Sequence, residues 1–338
     1  MLSGIAALPF ATLATLRHML YDKNILPVHN YSFPVINTGN LQLGGTGKTP
    51  MTEYLASLLL EKGYSVAILS RGYKRRSRGF VEADSHADPS RLGDEPYQMW
   101  QKFRTYDRFR LAVCGNRHKG IQILRNRYRP DVILLDDAFQ HRAIQAGLNL
   151  LLTPFHRPFH RDRFFPAGRL RDLKSRAEAA QMIIVTKSPA EYHPEKEKLR
   201  RELSAYGPEI YFSSLEYHFP TNDAGTINWD TLARNKVLVI TGIADPGPFY
   251  AYLTKKNFKF VSLNFNDHAR YGKKSLKKIN GLIKKEKIQM ILTTEKDYYK
   301  LKDKLQMPVY YLPVRPVLEN AKIFNKKIIH YVDTGKFI

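Results

Sequence analysis

The chain has 338 residues, 54 of them Lys or Arg against 31 Asp or Glu, for a formal net charge of +23. This length suggests about two domains, because single cores stop growing near ~250–300 residues, and 43% hydrophobic with 12% aromatic residues exclude wholesale disorder. Cys114 is the only cysteine, which excludes a disulfide framework and a thiolate zinc cluster, while the basic excess points to phosphate on nucleic acid, anionic lipid or a phosphorylated substrate.

Residues 2–16 carry no charge, yet they fall short of the ~20 residues that span a bilayer as a helix. Pro9 interrupts the run, and Ile5, Leu8, Leu13, Leu16 and Leu20 recur at helical spacing. No basic residue precedes the stretch, as a signal peptide requires. An amphipathic helix over 1–22 lying in a membrane interface is expected. Strands follow at Phe33–Asn37, Ser65–Leu69, Leu111–Cys114, Asp131–Leu135, Asn149–Leu152 and Met182–Thr186, with a helix over Met51–Lys62. Asp131–Leu135 is apolar enough to be buried on both faces. A polar helix at Pro194–Ala205 leads to an extended connector, Tyr211–Phe219. A second alternation places strands at Val237–Thr241, Phe258–Leu263, Met290–Thr293 and Val309–Pro313, with helices at Pro248–Lys256 and, very basic, Lys273–Lys287. The predicted class is α/β: two α/β/α domains, the first with a mostly parallel sheet. The expected division is a helix at 1–22, a P-loop domain at 23–215, a linker at 216–235 and a smaller domain at 236–338.

Gly44-Gly45-Thr46-Gly47-Lys48-Thr49 lies between a predicted strand and helix, so successive backbone N–H groups can cradle a phosphate. Lys48 would reach the β- and γ-phosphates of ATP, and the Thr49 hydroxyl would ligate Mg²⁺. The strict pattern has glycine at position 42, where this chain has Gln42. Asp136 and Asp137 close the apolar strand, the place for acids that hold Mg²⁺ or its water. Loop and acids together predict Mg-nucleotide phosphoryl transfer or hydrolysis. His156 and His160 are expected to hold no structural metal, since arginine between them repels a cation.

The run Gly39 to Pro50 resembles the phosphate loop of the lipid A disaccharide 4′-kinase (tetraacyldisaccharide 4′-kinase) family. Ser70-Arg71-Gly72-Tyr73, Gly93-Asp94-Glu95-Pro96, Gly115-Asn116-Arg117, Asp136-Asp137-Ala138-Phe139-Gln140-His141, Pro166-Ala167-Gly168-Arg169-Leu170-Arg171, Asp267-His268 and Thr294-Glu295-Lys296-Asp297 continue the likeness in the family's order. Ala138-Phe139 and Ala269 depart from the residues common there. The resemblance implies two α/β domains joined by a β-linker, and transfer of the ATP γ-phosphate to the 4′-hydroxyl of an acylated glucosamine disaccharide 1-phosphate. It further implies a peripheral protein on the cytoplasmic face of the Gram-negative inner membrane, against an anionic lipid surface.

By the same resemblance Asp94 serves as base with His268 beside it. Lys48, Arg117 and Asp137 complete the catalytic set, with Asp136 and Glu95 at the metal. Arg71, Tyr73, His141 and Arg171 are implied near the substrate. A monomer is expected, and no nucleic-acid partner, because no strand interleaves basic and aromatic residues. The competing readings are a membrane-associated deviant-P-loop ATPase acting as a switch or partitioning protein, a nucleic-acid-dependent ATPase, and a C-terminal half that only binds membrane.

Overall fold

The computed structural model describes residues 2–256 and 258–337, with side chains from residue 11 onward. It divides into one compact unit formed by 2–215 with 316–337 and a second formed by 216–315. The division falls inside two strands.

The first unit opens with α1 (Leu2–Asp22), which continues through Pro9 instead of breaking there. Then come β1 (Val35–Gly39), α2 (Lys48–Glu61), β2 (Val66–Ser70), β3 (Val81–Glu82), a single turn α3 (Pro89–Leu92), α4 (Asp94–Phe103), β4 (Phe109–Val113), α5 (Arg117–Tyr128), β5 (Val132–Asp136), β6 (Leu148–Pro154), β7 (Met182–Thr186), α6 (Pro194–Ser204) and β8 (Glu209–Tyr217). Strands β1, β2, β5 and β7 are buried at every position, as sheets covered by helices on both faces require. Met51, Leu55 and Leu59 of α2, all at 0% exposure, cover one face with Ile36 and Leu134; Ile121 and Leu124 of α5 cover the other with Ile133 and Leu135.

The second unit contains β9 (Thr221–Asn222), β10 (Gly225–Thr226), α7 (Trp229–Ala233), β11 (Val237–Thr241), α8 (Gly247–Lys255), β12 (Phe260–Asn264), α9 (Lys273–Glu286), β13 (Met290–Thr294), α10 (Glu295–Leu301) and β14 (Val309–Leu312). Its sheet runs β10-β9-β14-β13-β11-β12. The chain then passes through β15 (Val314–Leu318) to α11 (Ala321–Thr334).

Three expectations are corrected. The connector expected at Tyr211–Phe219 is β8, a full strand paired parallel to β7, with Tyr211, Phe212 and Ser213 buried. The linker expected at 216–235 supplies β9, β10 and α7 to the second unit. The tail expected in a domain 236–338 returns to the first unit: β15 neighbours β8 in a nine-stranded sheet ordered β15-β8-β7-β6-β1-β5-β2-β4-β3. There Phe324, Ile328 and Tyr331 enter the core, and the Tyr331 hydroxyl meets the Val35 N–H and C=O at 3.2 Å. Local pattern does not encode which strand an edge segment joins, because that pairing is non-local.

Every determined pairing in the large sheet is parallel except that of β3 with β4. The carboxyl ends of β1, β2, β4, β5, β6 and β7 therefore share one edge, and β1 sits where the chain order reverses, the usual ligand crevice of such sheets.

Candidate active site

At that edge β1 ends in Gly39 and the loop 40–47 turns into α2. Asn40 is fully buried, and its Nδ2 donates to Thr46 Oγ1 at 2.6 Å. The Thr46 carbonyl accepts from Thr186 Oγ1 at 2.9 Å. Gly47 has φ +86, the left-handed region that favours glycine, and a Cβ there would press on Thr186 at 3.3 Å. Helix α2 starts at Lys48, directing the unpaired N–H groups of its first turn and its dipole toward the loop.

Gln42 explains the departure from the strict loop pattern. It is buried, and its Nε2 donates to the Arg157 carbonyl at 3.0 Å and Asp162 Oδ2 at 2.8 Å, while its Oε1 accepts from Thr153 Oγ1 at 3.3 Å. Leu43 N donates to the Arg169 carbonyl at 2.7 Å. A side chain thus pins the loop to the 153–171 segment where a glycine could not.

The pKa values of the two acids at the end of β5 are pushed in opposite directions. Asp136 is buried; its Oδ2 accepts from Ser70 Oγ at 3.0 Å, and its Oδ1 has no hydrogen-bond partner. Burial, and then the charge of Asp137, push its pKa up to about 6. Burial also works against ionisation of Asp137, but Lys48 and Arg171 outweigh it and hold this carboxyl below the usual range. Lys48 Nζ lies 3.7 Å from Asp137 Oδ1, Arg171 Nη1 donates to Oδ2 at 3.3 Å, and Arg171 Nη2 bridges Oδ1 and Asn40 Oδ1. Lys48 itself is shifted down by burial, against the pull of Asp137. Environments that push paired carboxyls apart mark distinct roles.

A magnesium ion fits this arrangement. The unpartnered Asp136 Oδ1 is a buried acceptor that a cation would satisfy, and Asp137 stands beside it. No group of three or more metal-ligating side chains occurs among the described residues, in keeping with an ion that completes its shell from nucleotide phosphates and water.

Around the acids, Gly93 has φ +95, and a Cβ there would lie 2.9 Å from the Tyr73 carbonyl. That close approach ties the loop after β2, with Arg71 and the exposed Tyr73, to the first turn of α4, where Asp94 and Glu95 sit in the favourable end of the helix dipole. Glu95 acts electrostatically on both Lys48 and Asp136. Arg117 begins α5 buried; its Nη1 donates to the Cys114 carbonyl at 2.8 Å and its Nε is unpartnered. Burial lowers its pKa to about 10, opposed by Asp136. His141 is driven to about 4 by burial and by the positive charges of Arg117, Arg17 and Arg71, so it is neutral at pH 7.

The structure therefore gathers Lys48, Asp136, Asp137, Glu95, Arg117 and Arg171 into one electrostatic cluster. It sets Arg171, implied near the lipid, directly on Asp137. Local pattern does not assign roles to Asn40, Gln42 and Ser70; the first two lie in the loop run and Ser70 in the adjacent motif, but Arg171, Asp162 and Asp136, which they meet, are distant in sequence. Asp94 belongs to the first unit and His268 to the second. In the second unit Asp267 and His268 follow β12, with His268 at φ +62. Lys296 Nζ, from α10, lies 2.6 Å from Asp267 Oδ1, and His268 Nε2 is 3.7 Å from Oδ2. Burial works against ionising Asp267, but the Lys296 contact prevails and lowers its pKa.

Residues 2–333 match the family model described as tetraacyldisaccharide-1-P 4′-kinase. A tetraacyldisaccharide 4′-kinase of Flavobacterium psychrophilum is 40% identical over 97% of this chain and 96% of the relative. One from Bacteroides thetaiotaomicron is 40% identical over 96% of this chain and 90% of the relative. Among solved structures, an "apo"-form LpxK from Aquifex aeolicus in complex with ATP superposes with TM-score 0.76 at 28% identity, covering 96% of each chain.

Proposed function

The chain belongs to the tetraacyldisaccharide-1-phosphate 4′-kinase family, and from that membership we propose how its residues divide the work. It is a lipid A 4′-kinase, transferring the γ-phosphoryl group of ATP to the 4′-hydroxyl of a tetraacyl disaccharide 1-phosphate.

The triphosphate lies along Gly44, Gly45, Thr46 and Gly47 at the start of α2, with Lys48 on the β- and γ-oxygens. Thr49, Asp136, Asp137 and Glu95 would hold a magnesium ion, which would neutralise charge on those oxygens. Asp94 takes the proton of the 4′-hydroxyl, and the family motif assigns His268 to the same step. The hydroxyl oxygen bonds to the γ-phosphorus as the bond to the β–γ bridging oxygen breaks, and ADP leaves. Arg117 offers its unpartnered Nε to a phosphate oxygen. Arg71, Tyr73 and neutral His141 line the acceptor side, and Arg171 holds Asp137 in place.

No helix among the described residues is long and apolar enough to cross a membrane. Leu13, Leu16, Met19 and Ile25 are exposed apolar residues at the N-terminal end of a basic chain. They suit a monomer resting on an anionic lipid surface at the cytoplasmic face of the inner membrane.

The observation that carries this assignment is the split acid pair facing Lys48 at the start of α2. It is tested by transfer of ³²P from γ-labelled ATP to tetraacyl disaccharide 1-phosphate in detergent micelles. Labelled lipid is expected from the wild type and none from Lys48→Ala. ATP consumption without labelled lipid would favour the switch-ATPase reading.

A further inference from the structure

Among the described side chains of α1, the buried one is polar. His18 is 5% exposed, whereas Leu13, Leu16 and Met19 are 66%, 53% and 47% exposed. A surface helix held by its core shows the opposite distribution. Polar contacts attach this part of α1 to the body, and they converge on segments that shape the acid pair.

His18 Nε2 meets Asp172 Oδ1 at 2.5 Å, and Asp172 directly follows Arg171, whose guanidinium bridges Asp137 and Asn40. Arg17 Nη2 donates to the Gln140 carbonyl at 2.8 Å. Gln140 Nε2 in turn donates to the Asn40 carbonyl at 2.6 Å, next to the phosphate loop. Arg142, in the same segment as Gln140, donates to the His18 carbonyl at 2.9 Å and to Asp22 Oδ1 at 2.7 Å. Asp172 is 2% exposed and its Oδ2 is unpartnered. Without His18 the hydrogen bond left to this carboxylate is the N–H of Leu173 at 2.9 Å, with the charge of Arg176 acting on it from nearby. A buried carboxylate left so poorly satisfied favours movement of its loop toward water, and Arg171 would move with it.

We propose that α1 is a positioning element of the phosphoryl-transfer site. Seated through His18–Asp172 and Arg17–Gln140, it holds Arg171 against Asp137 and Asn40, so the helix that carries the exposed apolar residues also aligns the acid pair. This rests on the reading that Asp137 acts in transfer.

The test measures kcat and both KM values for the full-length chain in micelles, with melting temperatures as fold controls. His18→Leu is expected to lower kcat about tenfold, as misplacement at a reacting centre does, with little change in KM for ATP. His18→Gln, whose amide nitrogen can stand where Nε2 does, should restore most of it. Arg17→Met, at an exposed position, should lower kcat severalfold, and it decides the question alone if His18→Leu does not fold. Unchanged kcat in His18→Leu and Arg17→Met, an effect confined to the lipid KM, or failure of glutamine to rescue would each overturn the proposal. Asp137→Ala is run in parallel: full turnover there would sink the reading of the acid pair instead.

Discussion

Both sheets present charged groups just beyond parallel strands, but they hold them differently. In the first unit Asp136 is buried and Lys48, Asp137 and Arg117 are mutually dependent, each shifted by burial and by its neighbours. In the second, Asp267 is exposed and held mainly by one lysine. Deep burial makes each charge expensive unless the others are present, which suits a site waiting for a polyanion and a cation. A carboxylate at the surface, even when paired with a half-buried lysine, is partly screened by water and tolerates loss of a partner better. The first arrangement makes function depend steeply on every member; the second makes it depend on orientation.

The largest expected effect breaks the buried cluster. Lys48→Ala or Asp137→Ala should lower kcat by at least about 10³-fold, given the weight of charge stabilisation in phosphoryl transfer, with circular dichroism unchanged. Near-normal turnover in either would remove the cluster from the chemistry. Next, His268→Ala should lower kcat by roughly 10²-fold, the scale of a lost proton-transfer partner, with a modest change in KM for ATP. An unchanged kcat would place this histidine outside the reaction.

Asp136→Asn sharpens the contrast through stability. With its folded pKa raised to about 6 from an ordinary 3.8, Asp136 favours the native state less and less as pH rises from 4 to 6, and the full penalty is present above 6. The metal-free Asn variant should therefore be more stable than wild type at pH 8, by about 3 kcal/mol for a shift of about two units. The gain should vanish below pH 4. A thermal melt series that shows no pH-dependent gain would contradict the buried, unpaired state of Oδ1.

The smallest effect belongs to the second unit. Asp267, with its pKa lowered, stabilises the fold at pH above its unfolded value and loses that contribution as pH falls through its folded pKa. Lys296→Met should therefore lower Tm only slightly at pH 7, and that loss should shrink as pH falls below the ordinary aspartate value. A large loss at pH 7 would mean the pair is more structural than its exposure implies.

Several elements were legible locally. Strands at Met182–Thr186 and Val237–Thr241 are continuous apolar runs, and they form with those same bounds. Lys48 and the acid pair stood out because phosphate chemistry needs those residue types after a strand. Partnerships are not legible there: position 42 reads as a missing glycine, yet Gln42 is held by Arg157, Thr153 and Asp162, and Arg171, implied near the substrate, closes on Asp137.

The order of residues by itself determined the α/β alternation, the phosphate loop and the identity of the acids, because burial periodicity and glycine-rich turns are local properties. Only the tertiary structure decided that β8 and β15 enter the large sheet, that 316–337 return to the first unit, and that Asp136 and Asp137 ionise differently. Those outcomes depend on strand pairing and on charges brought within a few ångströms from positions far apart in the chain. A desolvated carboxyl responds to the neighbours it has in space, and sequence position alone does not supply them.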